Sequence, residues 1–462
     1  MRLSSLRLPA RASLWYTASA IIGRGCGFLF TPVLTRLLSQ EAYGLYSLYT
    51  SWLGIFTIIS TLELGGAVYM RAMLSSDDKD ELLRSACALE FFLVGICAIL
   101  YFAFYRYISA LTELGKLISA VMFLQIFLNA IVNLYMSAAK FAYSYKTVFF
   151  INVISGCLPI PISIIFIKLF GVRLYAKITA QIAVSLVVVC FLLYNIFGKR
   201  RGVSPVAALS LLRRGIVHFP HYISTALISR VDKIFIASAY GKESLAKYSI
   251  ADTVGSLLLF AVSAPMSALT PWVLRKISAK RIAPIASVCD VCLRIVLWFA
   301  LLLCAFTPEI MRFLAPPEYS DALLAVYPIA GAAIPYFAFA VVSSALAHGG
   351  GAVASLPSVI GGAAALCLSF LFTRLPSFTY TALVIPICYT LMALTGSFIA
   401  AGRGIFGIIK QRRITYIMLF CAAVSLALFI LRDNIQLRIA AAVLFCIPLV
   451  FDLGSAVTLV KE

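Results

Sequence analysis

The chain of 462 residues is 62% hydrophobic and only 12% charged, with a formal net charge of +20. That balance excludes a soluble globular protein and a disordered one, since neither carries so much apolar content with so few charges. The apolar residues form continuous runs without period-two alternation, which excludes a membrane β-barrel.

Taken in order, the runs predict an all-α polytopic membrane protein of about fourteen transmembrane helices, each able to cross roughly 30 Å of hydrocarbon. The first run, Leu14 to Leu34, carries Arg24 among Gly23, Gly25 and Gly27. Met1 to Ala20 has the arginines and the Ala18, Ser19, Ala20 triplet of a secretory signal, but the run continues past the triplet, so the segment reads as an uncleaved first helix. Runs two to six fall at Tyr43 to Tyr69, Ser85 to Tyr105, Leu114 to Ser137, Thr147 to Lys168 and Leu174 to Phe197. The stretch from Gly198 to Gly215 holds Gly, Pro and a basic cluster, as an interdomain connector should. Run seven, Ile216 to Tyr240, carries Arg230, Asp232 and Lys233, with His218 and His221 at its start. Those two histidines have no carboxylate or cysteine beside them and make a weak metal motif.

Runs eight to twelve are Ser244 to Leu269, Ile285 to Phe306, Ala322 to Ala347, Val353 to Thr373 and Thr379 to Ala400. The last two are Ile414 to Leu431 and Leu437 to Leu459. The organisation expected is an N-lobe of helices 1–6 over 1–197, a cytoplasmic connector over 198–215, a C-lobe of helices 7–12 over 216–400, and helices 13 and 14 over 401–462. Pro32, Pro159, Pro161, Pro265, Pro335 and Pro386 fall inside runs and predict kinks. The twelve cysteines are scattered and read as small apolar residues, including the Cys289 and Cys292 pair.

Lys and Arg counted over the connections fall about 22 inside and about 12 outside when the amino terminus is cytoplasmic. Both termini are therefore expected in the cytoplasm of a cell membrane. The net charge reads as topology plus attraction to anionic lipid, about 1 kcal/mol per nearby cation, and not as nucleic-acid binding. No phosphate-binding loop is present, and His348 with Gly349 to Gly351 lacks a GxSxG partner, so the chain reads as a transporter and not an enzyme.

An ionised side chain at membrane depth costs roughly 2.5–3.5 kcal/mol by the lower scales, so Arg24 and Arg230 are candidates to face a cavity and meet an anion. Arginine stays charged and its planar fork bonds two phosphate oxygens at once; Lys233, one turn from Arg230, is a softer second contact. The structural alternatives are that Asp232 neutralises a neighbouring cation and that Lys233 snorkels. Glu63, Glu90, Asp252, Asp290 and Asp452 are intramembrane acids; Glu63, Asp232 and Asp252 are candidates to hold a coupling H+ or Na+, while Asp290 and Arg294, four apart, are expected to pair with each other.

The halves repeat each other weakly. Leu38 to Ser47 and Tyr240 to Ser249 both lead from an arginine-bearing helix, through a turn with Glu and Gly, into a helix that opens on Tyr-Ser. Two pseudo-symmetric six-helix lobes with a cavity between them are the expected architecture of alternating access.

Ser229 to Ile236, followed by Gly241, Leu245, Ala246, Tyr248 and Ser249, resembles the D(R/K)xxI…G…L(G/A)xYS signature of polysaccharide-unit flippases. Thr35 to Ser39, Glu41 and Tyr43 to Tyr46 resemble their TRxLSxxxYGxY turn. These Wzx-like flippases belong to the multidrug/oligosaccharidyl-lipid/polysaccharide exporter superfamily. The resemblance implies a V-shaped pair of lobes that moves an undecaprenyl-pyrophosphate-linked oligosaccharide, for O-antigen, capsule or exopolysaccharide, from the inner to the outer leaflet. Fourteen helices are also the number of the lipid II flippases, whose last two helices help form a lipid-tail groove, a role that would fall here to 401–462. A cation-coupled multidrug exporter of the same superfamily is the other alternative. Implied partners are the lipid-linked substrate, membrane lipids and glycan-polymerising or ligating membrane proteins, with the chain itself monomeric; no cofactor is expected beyond the coupling ion.

Overall fold

The computed structural model describes residues 8–170, 173–198, 202–279, 282–348, 352–405, 407 and 411–461, and every regular element among them is helical. In a bilayer core no water satisfies backbone N–H and C=O groups, so a continuously apolar chain closes its hydrogen bonds within helices. The first ten are α1 (Leu8–Leu37), α2 (Gln40–Thr61), α3 (Tyr69–Ser75), α4 (Lys79–Ala103), α5 (Tyr105–Thr112), α6 (Lys116–Phe141), α7 (Tyr145–Cys157), α8 (Pro159–Phe170), α9 (Arg173–Phe197) and α10 (Pro205–Ser278). They are followed by α11 (Ala283–Leu314), α12 (Leu323–Gly331), α13 (Ala333–His348), α14 (Leu356–Phe372), α15 (Val384–Gly402), α16 (Gln411–Ile430) and α17 (Ile435–Lys461).

Among the described residues, twelve helices are long and apolar enough to cross a membrane, or up to thirteen with a bent pair counted as one span. That is short of the expected fourteen. The tally takes Pro205–Ser263 as one run of 59 residues, which straightened at 1.5 Å per residue would reach about 88 Å. The run is in fact broken at Gly241, whose φ of 84° and ψ of 172° suit glycine alone. The bent pair is Gln40–Thr61 with Leu64–Ser75, which turn by 64° where Leu62 and Glu63 adopt left-handed backbone.

The chain divides into two compact units, Met1–Ala226 and Leu227–Glu462. The stretch expected as a connector over 198–215 is helical from Pro205 onward, so its basic residues Arg213 and Arg214 ride on α10. In the first unit the core is built on Leu64, Tyr69, Leu128, Leu134 and Leu192. Small residues let helices close up there. A side chain on Gly156 of α7 would press within 2.9 Å of the Gly23 Cα on α1, and Asn152 donates to Ser19 Oγ at 2.9 Å one turn away. Gly23 is therefore a packing residue, whereas Gly25 and Gly27 face open space.

In the second unit the core runs through Val273, Leu301, Ile334, Ala338 and Met392. Polar rivets cross it. Arg438 of α17 makes a two-pronged pair with Glu309 of α11, both bonds 2.6 Å, and a third bond to the Ala305 carbonyl at 2.6 Å. Nearer the other end of the same helices, Arg294 Nε and the Trp298 indole both donate to Asp452, at 2.8 and 3.0 Å. Asp290 is held by Arg413 of α16. The expected Asp290–Arg294 pair is thus replaced by two bonds to other helices: a four-residue spacing puts the two side chains on one face, and that face is where α16 and α17 pack. Of the expected kinks, Pro159 follows the break between α7 and α8, while Pro386 sits in the first turn of α15, where its missing N–H costs nothing. Pro265 is described only as part of the α10 backbone.

Candidate functional site

The second unit gathers its buried charges around Gly241. Tyr248 and Asp232 are 16 residues apart, and on a straight helix that would separate them by about 24 Å. Instead the Tyr248 hydroxyl donates to Asp232 Oδ2 at 2.5 Å, so the arm after Gly241 lies back along the arm before it. Asp232 is fully buried, and its Oδ1 accepts from the Lys233 backbone N–H at 2.8 Å. Lys233 Nζ reaches across to Asp252 Oδ2 at 2.7 Å and touches the Ser229 carbonyl at 3.4 Å. Against the same turn of α10, Ser229 hydrogen-bonds Tyr389 of α15, and the Tyr389 ring meets Tyr336 of α13 edge-on with centroids 5.1 Å apart.

Asp232, Lys233 and Asp252 sum to a formal charge of −1: Lys233 and half-buried Asp252 satisfy each other, and Asp232 is satisfied by Tyr248 and a backbone N–H. Lys233 is held in an ion pair and does not snorkel, so any anion approaching it competes with Asp252. Asp232, the neighbour in sequence, bonds a tyrosine and not the lysine ammonium. Arg230 is half-buried one turn away. The spacing of Lys233 and Asp252 gave no hint of their pairing, because it depends on the reversal at Gly241.

Arg24 lies in α1, and its side chain is outside the described residues. The first unit has a buried cation that the sequence reading passed over. Lys177, one turn into α9, is 9% exposed, and its ammonium stands 4.9 Å over the Phe30 ring of α1. No carboxylate partner is recorded for it among the described residues. A snorkelling lysine keeps its head in water; this one rests on an aromatic face that offers about 0.5–2 kcal/mol. The signal was present as a lone Lys inside Leu174 to Phe197. Two of the intramembrane acids singled out in the sequence belong to this unit: Glu63 at the break of α2, and Glu90 of α4, 1% exposed with no hydrogen-bond partner for Oε2 among the described residues. His221 and His218 bring no metal cluster, and among the described residues no group of three ligands exists.

A family model described as "Polysaccharide biosynthesis protein" matches residues 10–276, more than half the chain. The chain belongs to that family. The match spans both turns that carried the resemblance to polysaccharide-unit flippases, so motif and family agree. A curated member of comparable kind, "Lsg locus putative protein 1" of Haemophilus influenzae, is 23% identical over 285 residues, which is 58% of this chain and 67% of that protein. In fold the family member is similar to an inward-facing MATE multidrug-resistance transporter of the MOP superfamily, at TM-score 0.69 and 14% identity, over 86% of this chain and 98% of that one. It is also similar to the lipid II flippase MurJ in an inward closed conformation, at TM-score 0.68 and 16% identity, over 95% and 97%. A transporter of the same superfamily from Pyrococcus furiosus, described as having a binding pocket of reverse polarity, matches at TM-score 0.63 and 14% identity, over 87% and 96%. The protein is thus a multi-pass membrane protein of polysaccharide biosynthesis with the MOP fold.

Proposed function

We propose that this protein is a flippase that carries an undecaprenyl-pyrophosphate-linked oligosaccharide from the inner to the outer leaflet by alternating access. The observation that carries this reading is Lys177, a cation inside a membrane helix with an aromatic seat and no carboxylate partner among the described residues. A pyrophosphate is the anion that a polysaccharide-building membrane protein has to move, and hydrocarbon offers it no solvation. Arg24 and Arg230 add fixed cations, and Lys233 becomes available to the anion when Asp252 releases it. The same exchange makes Asp252, with Asp232 near it, a candidate to hold a coupling H+ or Na+, and Glu63 is a separate candidate in the first unit. The protein works in the cell membrane with both termini cytoplasmic, as a monomer beside the glycan-polymerising or ligating proteins that use its product.

The test is leaflet-resolved transport of a fluorescent lipid-linked oligosaccharide in proteoliposomes. Lys177→Met and Arg24→Ala are expected to lower the rate at least about tenfold, the value of one lost charged contact, while Lys177→Arg retains most of it. Full transport by both neutral variants would end the cationic reading. A folded wild type that moves lipid II but no other glycan would place the protein with the peptidoglycan flippases; one that moves only cationic drugs would make it an exporter.

A further inference from the structure

Two cavities of the second unit join into one site that the transport reading does not use. The larger, about 630 Å³, lies between α12, α15 and α16. It exists because the chain cannot fill it. Pro328 denies α12 one backbone donor and α12 stops at Gly331, where a side chain would face Cys421 across 3.8 Å of ordinary van der Waals space. Its wall is apolar, with Pro386 and Met418 opposite Pro328. The smaller cavity, about 570 Å³, opens where α11 ends and α17 begins, and it shares Leu324 and Phe429 with the first. Here the lining turns polar: Arg312, Arg432, Asp321 and Asp433.

Each cavity also holds a tyrosine whose hydroxyl is buried without a hydrogen-bond partner. Tyr327, 4% exposed, lines the apolar part and meets Phe429 edge-on; Tyr319, 2% exposed, lines the polar part. A buried hydroxyl left unsatisfied costs about 1–3 kcal/mol, so two of them along one channel point to an absent acceptor-bearing ligand. Asp321 is engaged by Lys247 at 2.6 Å, whereas Arg432 lies over Phe429 and is only 3.7 Å from Asp433.

We infer that this channel binds a membrane phospholipid with a zwitterionic, amine-bearing head group. One acyl chain fills the apolar cavity from Met418 to Phe429. The ester oxygens accept from the Tyr327 and Tyr319 hydroxyls. Arg312 and Arg432, both exposed at the channel mouth, take the phosphate, and Asp433 beside them takes the ammonium. A head that lacks the ammonium sets its phosphate beside Asp433 and Asp321 with no cation of its own to meet them, which selects against it. The occupant is a resident lipid of the bilayer and not the transported one, because the channel lies within the second unit and contains neither Lys233 nor Arg230.

Native mass spectrometry of the delipidated full chain, titrated with phosphatidylethanolamine, phosphatidylglycerol and an undecaprenyl phosphate, tests this. The expected result is saturable binding of the ethanolamine lipid at least tenfold tighter than the glycerol lipid. Gly331→Leu fills the groove and should abolish it, whereas Leu444→Phe, on the exposed face of α17, should not. Since Gly331→Leu acts in the core, Asp433→Asn, at an exposed position of the mouth, gives an independent variant that should equalise the two lipids, whereas Arg312→Gln with Arg432→Gln should weaken both. Equal affinity of wild type for both phospholipids, unchanged selectivity in Asp433→Asn, or undecaprenyl phosphate displacing the ethanolamine lipid would each overturn the proposal.

Discussion

Aligning 240–249 on 38–47 sets the two units against each other at equal register. Asp232, Lys233 and Asp252 then fall opposite Phe30, Thr31 and Thr50. In the second unit these positions form a charged cluster; in the first, Thr31 and Thr50 donate to the Gly27 and Ser47 carbonyls of their own helices. The turns differ too. The first is started by Ser39, which accepts from the Ala42 N–H at 3.3 Å, and the second by the backbone of Gly241. The repeat has kept the path of the chain, and the second copy bonds charge across its turn through Lys233 and Asp252. In the first unit a buried cation, Lys177, comes from a different helix and rests on Phe30, the residue opposite Asp232. The arginines are offset as well, since Arg230 falls opposite Phe28 and not Arg24.

The largest test of this asymmetry is Asp252→Ala against Thr31→Ala. The first strands Lys233, 7% exposed, without its counter-ion and should cost about 3–5 kcal/mol. The second should cost under about 1 kcal/mol, the value of one local hydrogen bond. Denaturant unfolding in detergent reads both, and equal losses would break the comparison. Next comes Tyr248→Phe, which removes one of the two donors to the fully buried Asp232, with about 1–3 kcal/mol expected in the same assay. Gly241→Ala forces a Cβ into a backbone region reserved for glycine and should also lose about 1–3 kcal/mol. Ser39→Ala, which deletes the cap of the equivalent turn, should lose only about 1 kcal/mol. If Ser39→Ala proves costlier than Gly241→Ala, the two turns are not built on different devices.

Class and helix order were legible because lipid imposes one rule on every span, and the rule shows as apolar length. Arg24 and Arg230 stood out for the same reason. What periodicity could not show was where a span stops being straight: the 64° turn after α2 is made at Leu62 and Glu63 in left-handed backbone and at non-helical Gly66, inside an apolar run whose one double-glycine punctuation is Gly65-Gly66. Partners were harder still. Asp290 and Arg294 look matched in sequence, but helix neighbours within a chain compete with helices packed alongside, and here Arg413 and Asp452 win. Lys177 was hidden by its position near a helix end, where lysines are commonplace; only its ring contact and burial distinguish it.

The two ion pairs that join α17 to α11 bear on how such a protein can change over time. Glu309 and Arg294 are charges written into α11, and Arg438 and Asp452 into α17, so each helix is soluble in the membrane interior only with the other in place. A lineage that dropped α17 would strand Glu309 and Arg294 in hydrocarbon together. The last helix is therefore no detachable appendage. Losing or gaining it requires coordinated rewriting of a helix more than a hundred residues upstream, which makes helix number a slowly evolving character.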